Sequence, residues 1–232
     1  MIEPTDFILC GMPSEVSVLN ASFPANPVHG GTAKGNLASL VPPSCKRIIS
    51  MGLGGGLSPR IKIATGAVAT VVTDGAGNDF ACDSTWNDMV SDVASAAIRD
   101  LDAPWARGFL QCRWYSSGIM DEADTAPQRA DLLAKTWAWG IDDETHAAAL
   151  FCKERGLALN VLRFCSDDYS ETLPLAARGA IMNADGSANI EYLLQELASE
   201  GIIQDADLFK IAADFNSSLA ALQQATQAIA GV

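Results

Sequence analysis

IDDETHAAALFCKERGLALNVLRFCSDDYSETLP, residues 141–174, sets a helix and a strand side by side. Helical character from about residue 143 stops at Gly156, the residue type that most readily takes the left-handed turn closing a helix. The apolar run LALNVLRFC (157–165) then reads as a buried strand that ends in acidic residues. The alternation continues in both directions. DFILCG (6–11), KRIISM (46–51), GAVATVVT (66–73) and WARGFLQCR (105–113) read as strands, with a brief one near 138–141. Helices are expected after Pro13, over 84–101, near 126–137, near 188–200 and over 206–229. For 84–101, Trp86, Met89, Val90, Val93 and Ala97 supply the apolar face, and Asp83 or Ser84 can cap the start. Strands alternating with helices imply an α/β protein, a central mixed twisted sheet flanked by helices, and residues 1–232 read as a single domain.

Composition narrows the function. With 232 residues and 49% hydrophobic content the chain can bury a large core, and its formal net charge is −13. No Lys- or Arg-rich run offers a phosphate-backbone surface, so no nucleic-acid partner is expected. No apolar stretch reaches the roughly 20 residues of a membrane span, and no signal-peptide pattern opens the sequence. A cytoplasmic protein is the expectation. The six cysteines are scattered, none in a C-x-x-C pair, and read as reduced thiols in apolar surroundings. His29 and His146 lie far apart, so no metal site is expected, and no organic cofactor is expected either.

The segment ISMGLGGGLSPRIKIATGAVATVV (49–72) concentrates glycine at 52, 54, 55 and 56. A dinucleotide loop requires G-x-G-x-x-G opening a helix, but Leu57 occupies the third glycine position and another strand follows. No G-K-[ST] follows, which excludes a P-loop. A tight glycine turn between two strands is expected, or a wall that lets backbone approach a ligand.

Three segments carry a resemblance. The helix start D-D-E-T-H-A (142–147) with the strand end R-F-C-S-D (163–167) resembles the D-M-E-[ST]-x-A and R-x-x-S-D segments of the purine nucleoside phosphorylase and nucleosidase superfamily. The glycines resemble its G-x-x-G-G-L, and GMPSEV (11–16) resembles a segment of the nucleosidases for methylthioadenosine and adenosylhomocysteine. HGGTAKGNLASL (29–40) and ETLPLAARGAIMNADGSANIEYLL (171–194) look most like the hopanoid-associated group, thought to remove adenine from adenosylhopane.

The resemblance implies cleavage of the N-glycosidic bond of an adenine nucleoside. That reaction calls for a proton on the departing base and for groups that hold the sugar as cationic character develops. By resemblance Asp167 protonates the purine, for which it would need a raised pKa from burial or from a neighbouring carboxylate; on chemistry alone Asp168 could serve. Glu144 is implied to accept hydrogen bonds from the ribose hydroxyls, although an acid at a helix start also complements the helix dipole. Glu15 stands where nucleosidases carry the carboxylate that activates water. Phosphorolysis would need an anion site instead, and the nearest arginine to the glycines, Arg47, lies within a strand. Hydrolysis is therefore favoured, with phosphate as an alternative co-substrate and a non-catalytic nucleoside-binding relative as a further reading.

Further contacts are expected from Gly54, Ser166, Leu53 and Asp143. The last two depart from the family: Asp143 stands in place of a methionine packed on ribose, and Leu53 in place of a hydroxyl. Trp114 and Tyr115, expected just after a strand, are candidates to stack on the base, while Phe151 reads as core. His146 resembles a histidine of the hopanoid-associated group and equally suits a helix surface. The partner is expected to be a small purine nucleoside, and the assembly a homodimer or larger homo-oligomer.

Overall fold

Most of the apolar runs become strands, in a computed structural model that describes residues 2–31, 36–99, 109–118, 123–171 and 205–231. The order is β1 (Phe7–Cys10), α1 (Pro13–Ser22), β2 (Val28–Gly30), α2 (Leu37–Leu40), β3 (Arg47–Gly56), β4 (Gly66–Thr73), β5 (Asp79–Ala81), α3 (Ser84–Arg99), β6 (Leu110–Tyr115), α4 (Ala126–Thr136), β7 (Gly140–Ile141), α5 (Thr145–Arg155), β8 (Ala158–Asp167) and α6 (Asp205–Ala230). Local chemistry sets several boundaries. Thr125 and Gln128 cap α4 reciprocally, Pro127 sits in its first turn, and Gly156 closes α5 at φ 66°. The expected helix near 188–200 lies outside the described residues, as does most of 171–194.

β3 is the hub. Along one edge it pairs in parallel with β8; along the other it pairs first with β1 and then, at Gly55 and Gly56, antiparallel with β7. β8 turns to pair antiparallel with β4, β4 lies parallel to β6, and β6 lies parallel to β7. Five strands therefore close a ring, while β1 and β2 extend it on one flank and β5 edges β4. Strand alternation sorts side chains to two faces. Leu9, Ile48, Val161, Ala148 and Cys152 share one apolar cluster, and Ile49, Met51, Leu19, Trp86 and Leu222 share another with α1, α3 and α6. Full burial of each such aliphatic side chain contributes about 1.5–3 kcal/mol. All six cysteines are free, and burial pushes the Cys112 and Cys152 thiols up to about 12.

Three expectations change. The glycines are not a turn after a strand: they are the second half of β3 itself, held extended because both of its edges are hydrogen-bonded. The strand expected over 105–113 runs instead over 110–115, with 100–108 outside the described residues, so Trp114 and Tyr115 lie within it. The three-residue strands β2 and β5 exist through pairing with β1 and β4, which no local periodicity announces.

Trp114, 1% exposed, fills the space above two glycines. A methyl group on Gly140 would overlap its ring, and one on Gly54 would lie 2.8 Å from it. Gly140→Ala is therefore expected to lower stability by about 1–3 kcal/mol in urea denaturation, the usual penalty of overpacking; an unchanged midpoint would show that the ring yields.

Candidate active site

The centre of the site is Arg163, fully buried on β8. An isolated buried guanidinium is prohibitive, and this one is surrounded by acids and acceptors. Its Nε lies 3.2 Å from Asp142 Oδ2 and its Nη1 lies 3.4 Å from Glu144 Oε2. Nη1 also donates to the Leu53 carbonyl at 3.0 Å, and Nη2 to Ser50 Oγ at 2.5 Å and Thr145 Oγ1 at 3.2 Å. Asp142 is held in turn by the Trp114 indole N–H at 2.7 Å and by the backbone and hydroxyl of Thr145, both at 2.7 Å. The network joins β3, β6, β8 and the start of α5.

Glu15 enters from α1. Although it lies in the first helical turn, it is 1% exposed. Oε2 accepts the N–H groups of Gly11 and Met12, each at 2.7 Å, and Oε1 accepts that of Leu53 at 2.6 Å. The glycines make room for it: a Cβ on Gly52 would lie 2.6 Å from Glu15 Oε1, and one on Gly11 would lie 2.5 Å from Glu144 Oε1 and 3.3 Å from Glu15 Oε2. Two carboxylates thus converge on one bare backbone position. Burial pushes both up, opposed by Arg163; for Glu144, where Asp142, Glu15 and Asp143 add repulsion, the result is about 8.

Asp167 ends β8. Between Gly54 and Gly55 the β3–β8 register slips by one residue, a bulge that sets Asp167 opposite Gly55. A Cβ on Gly55 would lie 2.7 Å from Asp167 Oδ2. Arg129 Nη2 donates to Oδ2 at 2.5 Å, and Ser166 Oγ donates to Oδ1 at 2.8 Å. The sequence reading called for burial or a neighbouring carboxylate at Asp167; the partner it finds is a cation, Arg129. Asp168 turns away to accept Lys62 Nζ at 3.2 Å and both the N–H and the hydroxyl of Ser170. Burial opposes ionisation of Asp168, but Ser170 and Lys62 outweigh it and hold the carboxyl below its usual range.

No family model matches the sequence, and no curated protein matches it. Solved structures do. The 5′-methylthioadenosine/S-adenosylhomocysteine nucleosidase of Neisseria meningitidis, in complex with methylthio-immucillin-A, superposes with TM-score 0.62 at 13% identity, over 98% of this chain and 99% of that one. The 5′-methylthioadenosine nucleosidase of Arabidopsis thaliana gives TM-score 0.56 at 13% identity, over 97% and 93%. Futalosine hydrolase of Helicobacter pylori gives 0.56 at 14% identity, over 84% and 97%. The chain has the nucleosidase fold.

Within that fold Glu15, Glu144, Leu53, Gly54, Ser166 and Asp167 gather around the second half of β3. Leu53 contributes backbone only, since its side chain packs into the cluster under α1 and α6. Asp143 is half-buried beside Glu144. Trp114 meets Gly54 but is enclosed, serving Asp142 through its N–H. Tyr115 faces elsewhere: it lines a cavity of about 570 Å³ with Thr73, Asp74, Arg113, Lys135 and Trp137, which none of the three acids lines. His146 packs on the chain at Ser116, its backbone N–H donating to Ser116 Oγ at 3.0 Å. Arg47 lies 3.5 Å from Asp6. Asp142 and Arg163 stand in the motifs that carry the resemblance but were given no role there, and Arg129 escaped the sequence reading. A charge inside the apolar run LALNVLRFC signals a buried ion pair, whereas nothing local marks Arg129. Among the described residues no helix is long and apolar enough to cross a membrane.

Two measurements test this electrostatic frame. Arg163→Met leaves three carboxylates without their shared cation and is expected to destabilise the protein by about 3–5 kcal/mol. Glu144 holds its proton more tightly folded than unfolded, so its contribution to stability is complete below about pH 4.5 and is lost as the pH rises through about 8. The melting temperature is expected to fall between pH 5 and pH 8, and to fall less in Glu144→Gln; parallel curves for the two proteins would refute the assignment.

Proposed function

We propose that this protein hydrolyses the N-glycosidic bond of an adenine nucleoside. The observation that supports the reading is the placement of Glu15 against Gly11 and Gly52, of Glu144 against Gly11 and of Asp167 against Gly55. Gly52 and Gly55 are three residues apart, about 10 Å of extended strand, with Glu15 against the first and Asp167 against the second. The nucleosidases that share the fold support the same chemistry, one of them solved with methylthio-immucillin-A and another with 5′-methylthioadenosine.

In this reading Asp167 delivers a proton to the purine ring and Glu144 accepts the ribose hydroxyls. Glu15 takes a proton from the attacking water. Glu15 suits the part because three N–H donors fix its orientation while burial makes it a better base than a solvated glutamate. Electrostatics suit the cationic sugar of the transition state: Asp142, Glu144 and Glu15 all face the one cation Arg163, and a developing positive charge favours ionisation of the glutamates that burial pushes up. Water is preferred to phosphate as nucleophile because Arg163 is already engaged by Asp142, Glu144, Leu53 and Ser50, and Arg47 by Asp6. A 5′ substituent of the adenosylhopane type is supported by the resemblance of residues 29–40 and 171–194 alone. Assembly as a homodimer or larger belongs to the same proposal.

Methylthioadenosine, adenosylhomocysteine, adenosine and inosine, each incubated with and without phosphate, are expected to yield free base and free sugar independently of phosphate. Asp167→Asn and Glu15→Gln are each expected to lower kcat by about 10²–10⁴. Phosphate-dependent formation of ribose 1-phosphate would replace hydrolysis by phosphorolysis, and adenine binding without turnover of any nucleoside would refute an enzyme.

A further inference from the structure

Three consecutive residues at the end of β6 grip the turn over residues 142–145, which carries Glu144 into the site. The Trp114 indole N–H donates to Asp142 Oδ2 at 2.7 Å, the Tyr115 carbonyl accepts the Asp142 N–H at 3.2 Å, and Ser116 Oγ donates to the Asp142 carbonyl at 2.7 Å. Asp142 also closes the turn on itself: Oδ1 accepts the Thr145 N–H and Oδ2 the Thr145 hydroxyl, both at 2.7 Å. Its side chain is 2% exposed, whereas that of Glu144, inside the turn, is 15% exposed. Trp114 is the anchor that sequence assigned to another task, stacking on the base. An indole has one N–H and no acceptor, so an enclosed tryptophan commits that N–H to whatever partner the fold supplies. The ring lies against Gly54 of β3 and Gly140 of β7, and a methyl group on either glycine would meet it. Held between two bare backbones, it has no room to swing, and its N–H points at one oxygen of Asp142. The same oxygen faces Arg163 Nε at 3.2 Å, so one atom ties the turn to the buried cation that pairs with Glu144.

We propose that Trp114 is a positioning residue for sugar recognition: its N–H holds Asp142, Asp142 holds both the turn and Arg163, and together they set Glu144 where it accepts the ribose 2′-hydroxyl. The proposal rests on the reading of Glu144 as the sugar-binding acid. A carboxylate selects for a hydroxyl only while it is fixed. When the hydroxyl is missing, a fixed and buried acceptor is left without its donor, and that penalty is what rejects the wrong sugar. A carboxylate free to move finds another donor instead, and the penalty fades. Packing and direction are separate contributions of the one side chain. The ring supports Gly54 and Gly140 whichever sugar is bound, whereas the N–H acts through Asp142 on the turn that carries Glu144.

The test compares two sugars in the full-length protein, adenosine and 2′-deoxyadenosine, which differ only in the hydroxyl that Glu144 is read to accept. The quantity is kcat/KM for adenosine divided by kcat/KM for 2′-deoxyadenosine. The intrinsic reactivities of the two sugars are common to every variant, so a change in this ratio reports the contact. Glu144→Gln is expected to lower the ratio by about 10–100-fold. Replacement of Trp114 by β-(3-benzothienyl)alanine, which keeps the ring system and puts sulfur in place of the N–H, is expected to lower it by about 3–10-fold. Trp114→Phe loses ring volume as well, and is expected to slow both substrates through packing while lowering the ratio to a similar extent. Because each value is a ratio within one preparation, the folded fraction cancels; if the Phe variant fails to fold, the benzothienyl variant, with its packing kept, carries the test. An unchanged ratio in the benzothienyl variant, with the ratio lowered in Glu144→Gln, would overturn the role of Trp114. An unchanged ratio in Glu144→Gln would overturn instead the assignment of Glu144, and absence of any cleavage by wild type would overturn the function itself.

Discussion

A single buried cation organises this protein's candidate site. Arg163 is fully buried on β8, where its desolvation is tolerable only because Asp142, Glu144 and several hydrogen-bond acceptors face it. The dependence is mutual. Without Arg163 the acids would repel one another in a largely buried site, and without the acids the arginine would be a buried charge with no partner. The cluster fixes how α5 starts, how β3 lies beside β8 and where α1 can bring Glu15. It also sets more acids than cations around Arg163, so a ligand that becomes cationic favours their ionised forms.

The glycines of β3 follow from the same crowding. A strand face with side chains at 52 and 54 would collide with Glu15, Arg163 and Trp114, so the face is left bare and the neighbouring groups close over it. Leu53, between them, points the other way into the core and contributes only its backbone, its N–H to Glu15 and its carbonyl to Arg163. What looks in sequence like a flexible loop is thus a rigid strand whose missing side chains make room for functional ones. Loss of conformational entropy at the glycines is offset by hydrogen bonds along both edges of β3.

At the far end of that strand a bulge and a second buried arginine do for Asp167 what Arg163 does for the glutamates. The bulge sets the carboxylate over Gly55, and Arg129 holds one of its oxygens. The two centres differ in balance. Around Arg163 acids outnumber the cation, whereas at Asp167 one acid meets one cation.

Much of this was legible in the sequence. Alternating apolar runs and helical periods determined the α/β class, Gly156 determined the end of α5, and the segments around Glu15, Glu144 and Asp167 marked the acids, because each signal is local: a period, a cap, a short motif. Tertiary structure alone decided the rest. That the glycines are strand and not turn depends on pairing with β7 and β8, strands distant in sequence. That Trp114 is enclosed, that Asp168 faces Lys62, and that Arg129 reaches Asp167 across 38 positions depend on which strand ends are brought together. A buried charge is defined by its partner, and no single stretch of chain contains both halves of the pair.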